Sequence, residues 1–322
     1  MIEVFRFKFK KSYQAEPESF LNFLGHPDSS LLIQFVKEEK WSELDFKLQS
    51  YSEDELHPLL DGLTEVVTDW RRDEWPYIPE NGRLILFKGY FLVAKAWIER
   101  TGQRAEDVTE EQFRRFFRAL DQAEALLGKY IESNPSESLA YLQLFRVYMG
   151  QSYETDDKYQ LFIKYSKSTN EHLAAHIKMA YSLTEQWGGS HRDLFSFCRV
   201  SYKQNPRFAP LIAYAHFMRW FYDALFEEGE LDDTYFMQPE VEGELVDAHE
   251  AYSKIDIPTY EKLIGENYFA FCFAKSSKAS SLKKALMKVD RHILSGVWDI
   301  EYENEFNSVN SLRSYCGLKK IR

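Results

Sequence analysis

The sequence predicts an all-α chain of stacked helical hairpins, and three observations carry that expectation. Glycine (14) and proline (10) are sparse in 322 residues, while 44% of side chains are apolar and 16% aromatic. That mix favours helices around a sizeable core over turn-rich β architecture. Helix starts are written in explicit capping chemistry, Ser52 with Glu55 and Thr109 with Gln112, where hydroxyl and carboxylate or amide satisfy orphan amides reciprocally. Helix breaks also recur: Asn134-Pro135 and Asn205-Pro206 stand about two 35-residue units apart, with Thr169-Asn170-Glu171 as the break between them. Paired helices at that period predict a tetratricopeptide-like helical-hairpin array, a right-handed solenoid, with a short N-terminal β-strand.

Residues 2–10 alternate at period two, with Phe5, Phe7 and Phe9 on one face and Arg6, Lys8 and Lys10 on the other. This reads as a strand whose lysines discourage edge pairing. From Glu18 onward the period is helical. Pro79 ahead of Asn81 opens a stripe through Leu84, Phe87, Phe91, Ala94 and Trp97, a helix of about twenty residues ending near Gly102. Before the two Asn-Pro breaks, Ala123, Leu127 and Tyr130, then Leu194, Cys198 and Ser201, fall in the small, bulky and inner slots of a repeat. The helices after those breaks carry Tyr141, Leu144, Phe145 and Tyr148, then Leu211, Ile212, Tyr214 and Phe217. A helix from His172 to Trp187 must stop at Gly188 and Gly189, because glycine tolerates the left-handed terminal conformation. Ser190 with Asp193 opens the next. Tyr260 to Lys275 and Leu282 to Leu294 form a final pair, and the polar stretch Asp299 to Asn310 reads as a loop or cap. The chain is thus expected to comprise an N-terminal strand or extension (1–15), a helical-repeat region (16–226), an acidic connecting segment (227–258) and a C-terminal helical pair with its cap (259–322).

Charge is uneven. The formal net charge is −11, and no Lys or Arg occurs between Trp220 and Ser253, a window that includes Glu227, Glu228, Asp232 and Asp233. The tail from Lys275 onward is basic. An acidic field repels phosphate backbones and steers basic proteins, so nucleic acid is a disfavoured partner and a basic protein or peptide a favoured one. The first ten residues contain no apolar signal-type core, and the densest apolar run, Tyr268 to Ala274, falls far short of the roughly 20 residues that span a bilayer. The chain is therefore expected to be cytoplasmic, without a membrane partner. Cys198, Cys272 and Cys316 are odd in number and widely spaced, and read as small core residues.

Three stretches carry a family resemblance: Trp41-Ser-Glu-Leu-Asp-Phe-Lys-Leu48, Phe87-Lys-Gly-Tyr-Phe-Leu-Val-Ala-Lys-Ala-Trp97 continuing to Gly102, and Trp187-Gly-Gly-Ser-His-Arg-Asp-Leu-Phe-Ser-Phe197. Together they resemble an uncharacterised bacterial family, one of the numbered domains of unknown function, over about residues 40–295. In that family a helix with a Gly-aromatic-aromatic and Ala-Trp pattern precedes helical pairs and a Lys-Trp-Gly-Gly-Ser loop. Trp97, Trp187, Gly188, Gly189 and Ser190 carry its motifs here, whereas Gln186 replaces the usual Lys and Thr101 interrupts the usual Arg-Gly. The resemblance implies a tetratricopeptide-like helical fold and brings no activity or catalytic residue.

Candidate chemistry is thin. His172 and His176 lie four apart, a spacing that can bind metal, but Leu-Ala-Ala between them lacks the zinc-protease glutamate and no third ligand is evident. They read as packing histidines, and no cofactor is expected. The Gly188-Gly189-Ser190 loop lacks both phosphate-binding glycine patterns and reads as a helix stop followed by a cap. Phe113, Phe116 and Phe117 share one helix face and read as core. Trp220, Phe221 and Tyr222 are consecutive and point about 100° apart, so at least one should leave the core face. Tyr141, Tyr148, Tyr181 and Tyr214 sit on the first helix of successive pairs, the helix that lines the concave side of such arrays, and are the first candidates for partner binding. The expected function is a non-enzymatic helical-repeat scaffold that binds a protein or peptide. Two alternatives stand beside it. One is an immunity-type protein that neutralises a basic toxin through the acidic window 223–250, which holds Glu227, Glu228, Asp232 and Asp233; the other is a metal-dependent enzyme using His172 and His176.

Overall fold

Helices fill the chain from Ser29 onward in the computed structural model, which describes residues 23–70, 75–101, 105–167, 171–226, 234–276, 278–298 and 305–320. The strand expected over 2–10 lies outside the described residues; among those, every regular element is helical. The chain divides into two compact units, Met1–Glu171 and His172–Arg322, and the division falls inside the span 16–226.

The first unit runs through α1 (Ser29–Lys37), α2 (Trp41–Leu48), α3 (Glu53–Trp70), α4 (Leu84–Arg100), α5 (Glu110–Ser133), α6 (Leu139–Gly150) and α7 (Thr155–Tyr165). Both capping boxes form: Glu55 accepts from the Ser52 amide at 3.0 Å, and Thr109 and Gln112 exchange bonds at 2.8 and 3.3 Å. The tightest packing joins α4 to α5. Gly89 makes it possible, since a Cβ there would collide with Leu127. Carboxylates from distant segments start two further helices. Asp45 of α2 accepts from the Arg83 and Leu84 amides at the head of α4, at 2.6 and 3.3 Å. Glu53 of α3 accepts from the Ser138 amide at 3.1 Å, at the head of α6.

The second unit runs through α8 (Leu173–Ser182), α9 (His191–Gln204), α10 (Pro210–Phe226), α11 (Pro239–Ser253), α12 (Thr259–Lys275), α13 (Ala279–Val289), the single turn α14 (Ser295–Trp298) and α15 (Glu305–Tyr315). Its centre is α12, buried on every side from Leu263 to Phe273, as a helix apolar all round must be. Two polar side chains interrupt this stretch, Glu266 and Asn267, and Asn267 has 0% exposure. Its amide donates to the Leu263 and His292 carbonyls at 2.8 and 3.0 Å, and its oxygen accepts from the Leu294 amide and the Trp298 indole at 3.0 and 2.9 Å. The segment 292–298 is thereby fastened along α12.

Several sequence-based expectations change. Trp220, Phe221 and Tyr222 are all buried, because α10 packs against α8, α9, α11 and α12 and turns the adjacent Arg219 to solvent instead. Of the phenylalanine trio, Phe116 is buried while Phe117 is 41% exposed; the inward face of α5 runs instead through Ala119, Leu120, Ala123 and Leu127. The helix after His172 stops at Ser182, not Trp187. Ser182 and Thr184 hydroxyls donate back to the Met179 and Tyr181 carbonyls, and a 3₁₀ turn covers Glu185–Trp187. α13 stops at Val289 rather than Leu294. The polar stretch 299–310 is helical from Glu305, and Arg313 of that helix donates to the Leu286 carbonyl at 2.9 Å.

Replacing Asn267 with Ala removes one hydrogen bond each from the Trp298 indole, the Leu294 amide and the His292 carbonyl. At about 1–3 kcal/mol for each such group, urea unfolding is expected to report a loss of about 3–5 kcal/mol.

Candidate functional site: an apolar groove between α1 and α2

The apolar stripes of α1 and α2 are wider than the faces they pack. On α1, Leu32, Ile33 and Val36 point inward, whereas Leu31 and Phe35, one turn apart, occupy the flank. On α2, Leu44, Asp45 and Leu48 face inward, which swings Phe46 to the outside. Phe46 is 78% exposed and Leu31 38%. With Ser42, Glu43 and Lys47, these side chains line an open groove of about 420 Å³. A phenylalanine this exposed forgoes about 2 kcal/mol of burial free energy, which an occupant can recover.

Two charges edge the groove and differ in commitment. Lys47 is engaged: its ammonium lies 3.0 Å from Asp28 and 5.4 Å from the centre of the Tyr51 ring. Tyr51 donates to Asp28 at 2.6 Å, and the bonds from Tyr51 and Lys47 hold the Asp28 carboxyl below its ordinary range. Glu43 makes no hydrogen bond or ion pair among the described residues. The nearby Lys40 is paired with Glu38 at 2.6 Å.

The tyrosines expected to line a concave face fall in different units and different surroundings. In the first unit Tyr141 is buried with its ring edge-on to Tyr165 at 5.8 Å, and Tyr148 is half-buried, stacked on Tyr153 at 4.1 Å. In the second, Tyr214 is buried edge-on to Tyr268 at 5.2 Å, and Tyr181 is half-buried against Trp187 at 6.0 Å. Tyr141 and Tyr214 are therefore core side chains, because α6 and α10 are each covered by neighbouring helices of their own unit. Trp97 packs edge-on to Phe116 at 5.1 Å. In the Trp187 loop, Gly188 takes φ +84, a Cβ on Gly189 would collide with the Leu183 carbonyl, and Ser190 caps α9 by accepting from the Asp193 amide at 3.1 Å. The loop thus ends the 3₁₀ turn Glu185–Trp187 and starts α9, whereas the helix stop expected here falls earlier, at Ser182.

Glu227, Glu228, Asp232 and Asp233 lie outside the described residues. The described acids of the same window include two that are occupied. Glu242 pairs with Lys278 at 3.0 Å, and Glu244 meets Arg199 at 2.7 Å and His216 at 3.1 Å. Burial opposes ionisation of Glu244, but the bonds from Arg199 and His216 outweigh it and hold the carboxyl at about 2. His216 bridges two groups, its Nε2 lying 3.1 Å from that carboxylate and its Nδ1 2.7 Å from the Tyr235 hydroxyl. Glu261, 2% exposed, takes a bidentate Arg207 at 2.5 and 2.6 Å, with His172 at 3.9 Å, and Glu266 pairs with His249 at 2.9 Å. These buried charges are spent on one another and tie helices together. None was marked in the sequence, since each pair joins residues 17 or more apart. Phe46 did leave a signal there: two positions after Leu44 on a helix, it must point away from the face that Leu44 and Leu48 share.

His172 and His176 do not converge as ligands. His172 precedes the first turn of α8, and His176 Nδ1 bonds the His172 carbonyl at 3.1 Å while its ring stacks on Phe208 at 3.7 Å. No group of three metal-ligating side chains occurs among the described residues. Burial lowers His176 from 6.5 to about 4. Glu65 of α3 moves the other way, from 4.5 to about 7, through burial first and then the neighbouring carboxylates Asp69 and Asp61.

Opposite pH slopes follow. For His176 the unfolded chain binds the extra proton, so stability is full above pH 6.5 and falls by up to about 3 kcal/mol as pH drops through 4. His176→Phe is expected to remove that acid loss in urea titrations across pH 4–7. For Glu65 the folded chain binds the proton, so its contribution is full below pH 4.5 and fades, by up to about 3 kcal/mol, as pH rises through 7. Glu65→Gln is expected to raise the urea midpoint at pH 8 and leave it unchanged at pH 4. No family model, no curated protein and no solved structure matches this chain.

Proposed function

We propose that the chain is a non-enzymatic helical scaffold and that it binds a protein or peptide partner in the groove between α1 and α2. The observation that carries this reading is Phe46, a large apolar side chain left in solvent beside Leu31 and Phe35 although inward positions on the same helix are filled. The titratable pairs of the second unit support it from the other side, being occupied by one another. A tetratricopeptide-like reading of the hairpins belongs to the same proposal, supported by the packing of sequence neighbours α4 on α5, α5 on α6 and α12 on α13. A cytoplasmic setting accords with three free cysteines, two of them buried. No helix among the described residues is long and apolar enough to cross a membrane. The toxin-neutralising alternative rests on the acidic window 223–250; Glu227, Glu228, Asp232 and Asp233 lie outside the described residues and Glu242 and Glu244 are paired within the fold, so the groove is the favoured site.

A photo-crosslinking phenylalanine analogue placed at position 46 is expected to give a discrete protein adduct in the native host. The same analogue at the equally exposed Tyr77, 77% in solvent, should give none, and Leu31→Glu should abolish the adduct at 46. Identical adducts from both positions, or none from position 46, overturn the proposal.

A further inference from the structure

The rim of the groove says which kind of partner fits. Resting on the groove as the binding surface, we infer that its occupant is an amphipathic α-helix of another protein, carrying a lysine or arginine beside its apolar edge.

Backbone chemistry selects a helix. Both walls are helices whose amides and carbonyls bond internally, and Leu31, Phe35 and Phe46 give the trough an apolar surface edged by Ser42, Glu43 and Lys47. An extended peptide laid there would bring its own unpaired backbone groups against Leu31, Phe35 and Phe46, where nothing satisfies them. A helix arrives with those groups already bonded, and apolar side chains at i, i+3, i+4 and i+7 match a trough between helices of nine and eight residues. At 1.5 Å rise per residue that trough is about 12–14 Å long, room for roughly two turns of a docked helix.

Area argues against a second copy of the chain. Six residues line the groove, whereas a stable protein dimer uses roughly 20–30 residues a side. Charge then sets the sign. Lys47 is committed to Asp28 and Lys40 to Glu38, which leaves Glu43 as the groove-lining charge without an ion pair among the described residues. A partner carboxylate placed there meets Glu43 and is repelled, while an ammonium or guanidinium is attracted, and the net charge of −11 favours the same approach at long range. The same signs work against an anionic lipid surface.

Two designed eighteen-residue helical peptides with identical leucine spacing, one flanked by lysines and one by glutamates, test this by amide chemical-shift titration of the ¹⁵N-labelled full chain. The lysine peptide is expected to move α1 and α2 resonances and to bind about fivefold tighter at low salt, a margin that shrinks in 0.5 M salt. Glu43→Lys should reverse the preference, and Phe46→Ser should remove binding of both peptides. Both substitutions sit on exposed side chains, and unchanged circular dichroism is expected to show that the fold survives. Equal affinity for the two peptides, lost in Phe46→Ser, overturns the charge inference and leaves the groove standing. Binding indifferent to Phe46→Ser overturns the groove itself. Failure of both peptides, or Phe46-dependent binding of phosphatidylglycerol vesicles in their place, overturns the helical partner.

Discussion

Every helix end leaves amides or carbonyls without an intrahelical partner, and a chain folded into many short helices has many such ends to satisfy. The solutions recur throughout the described structure. Some are local, as in the capping boxes at Ser52 and Thr109. The more consequential ones come from far along the chain: Asp45 at the head of α4, Glu53 at the head of α6, Arg313 at the tail of α13, and Asn267 holding the segment that leads to α14. Each of these side chains stabilises a terminus and at the same time fixes which helices are neighbours. Architecture here depends on polar fasteners laid over an apolar core that, by itself, accepts many arrangements.

The same economy explains why a groove remains between α1 and α2. Two turns of α2 must present Asp45 to the head of α4 while Leu44 and Leu48 enter the core. Those demands fix the rotation of the helix and leave Phe46 with nowhere to go but outward. Its exposure follows from the orientation of its own helix, and the flank of α1 with Leu31 and Phe35 completes the trough.

What the sequence made legible was local. The capping boxes, the stops at Asn134-Pro135 and Asn205-Pro206, the left-handed Gly188 and the cap at Ser190 depend on residues within a few positions of each other, and each forms. Expectations that depended on which face of a helix meets solvent fared differently. Tyr141 and Tyr214 looked like groove residues because a two-layer array leaves one face of each helix open, yet α6 and α10 are enclosed by helices that periodicity alone does not place. Trp220, Phe221 and Tyr222 illustrate the same point: consecutive residues all enter the core when neighbouring helices leave only a narrow solvent strip, here taken by Arg219. The carboxylate–guanidinium and carboxylate–imidazole pairs were illegible because 51 acidic residues offer too many partners until folding chooses among them.

Asp45 and Phe46 are adjacent in sequence and opposite in duty, one turned inward to begin another helix and the other turned outward to meet whatever approaches. Mutational drift at positions 42, 43 and 46 therefore meets little resistance from folding, whereas drift at 44, 45 and 48 meets a great deal. A lineage carrying this chain is free to exchange one recognition preference for another along the outer edge of α2 while keeping its architecture unaltered.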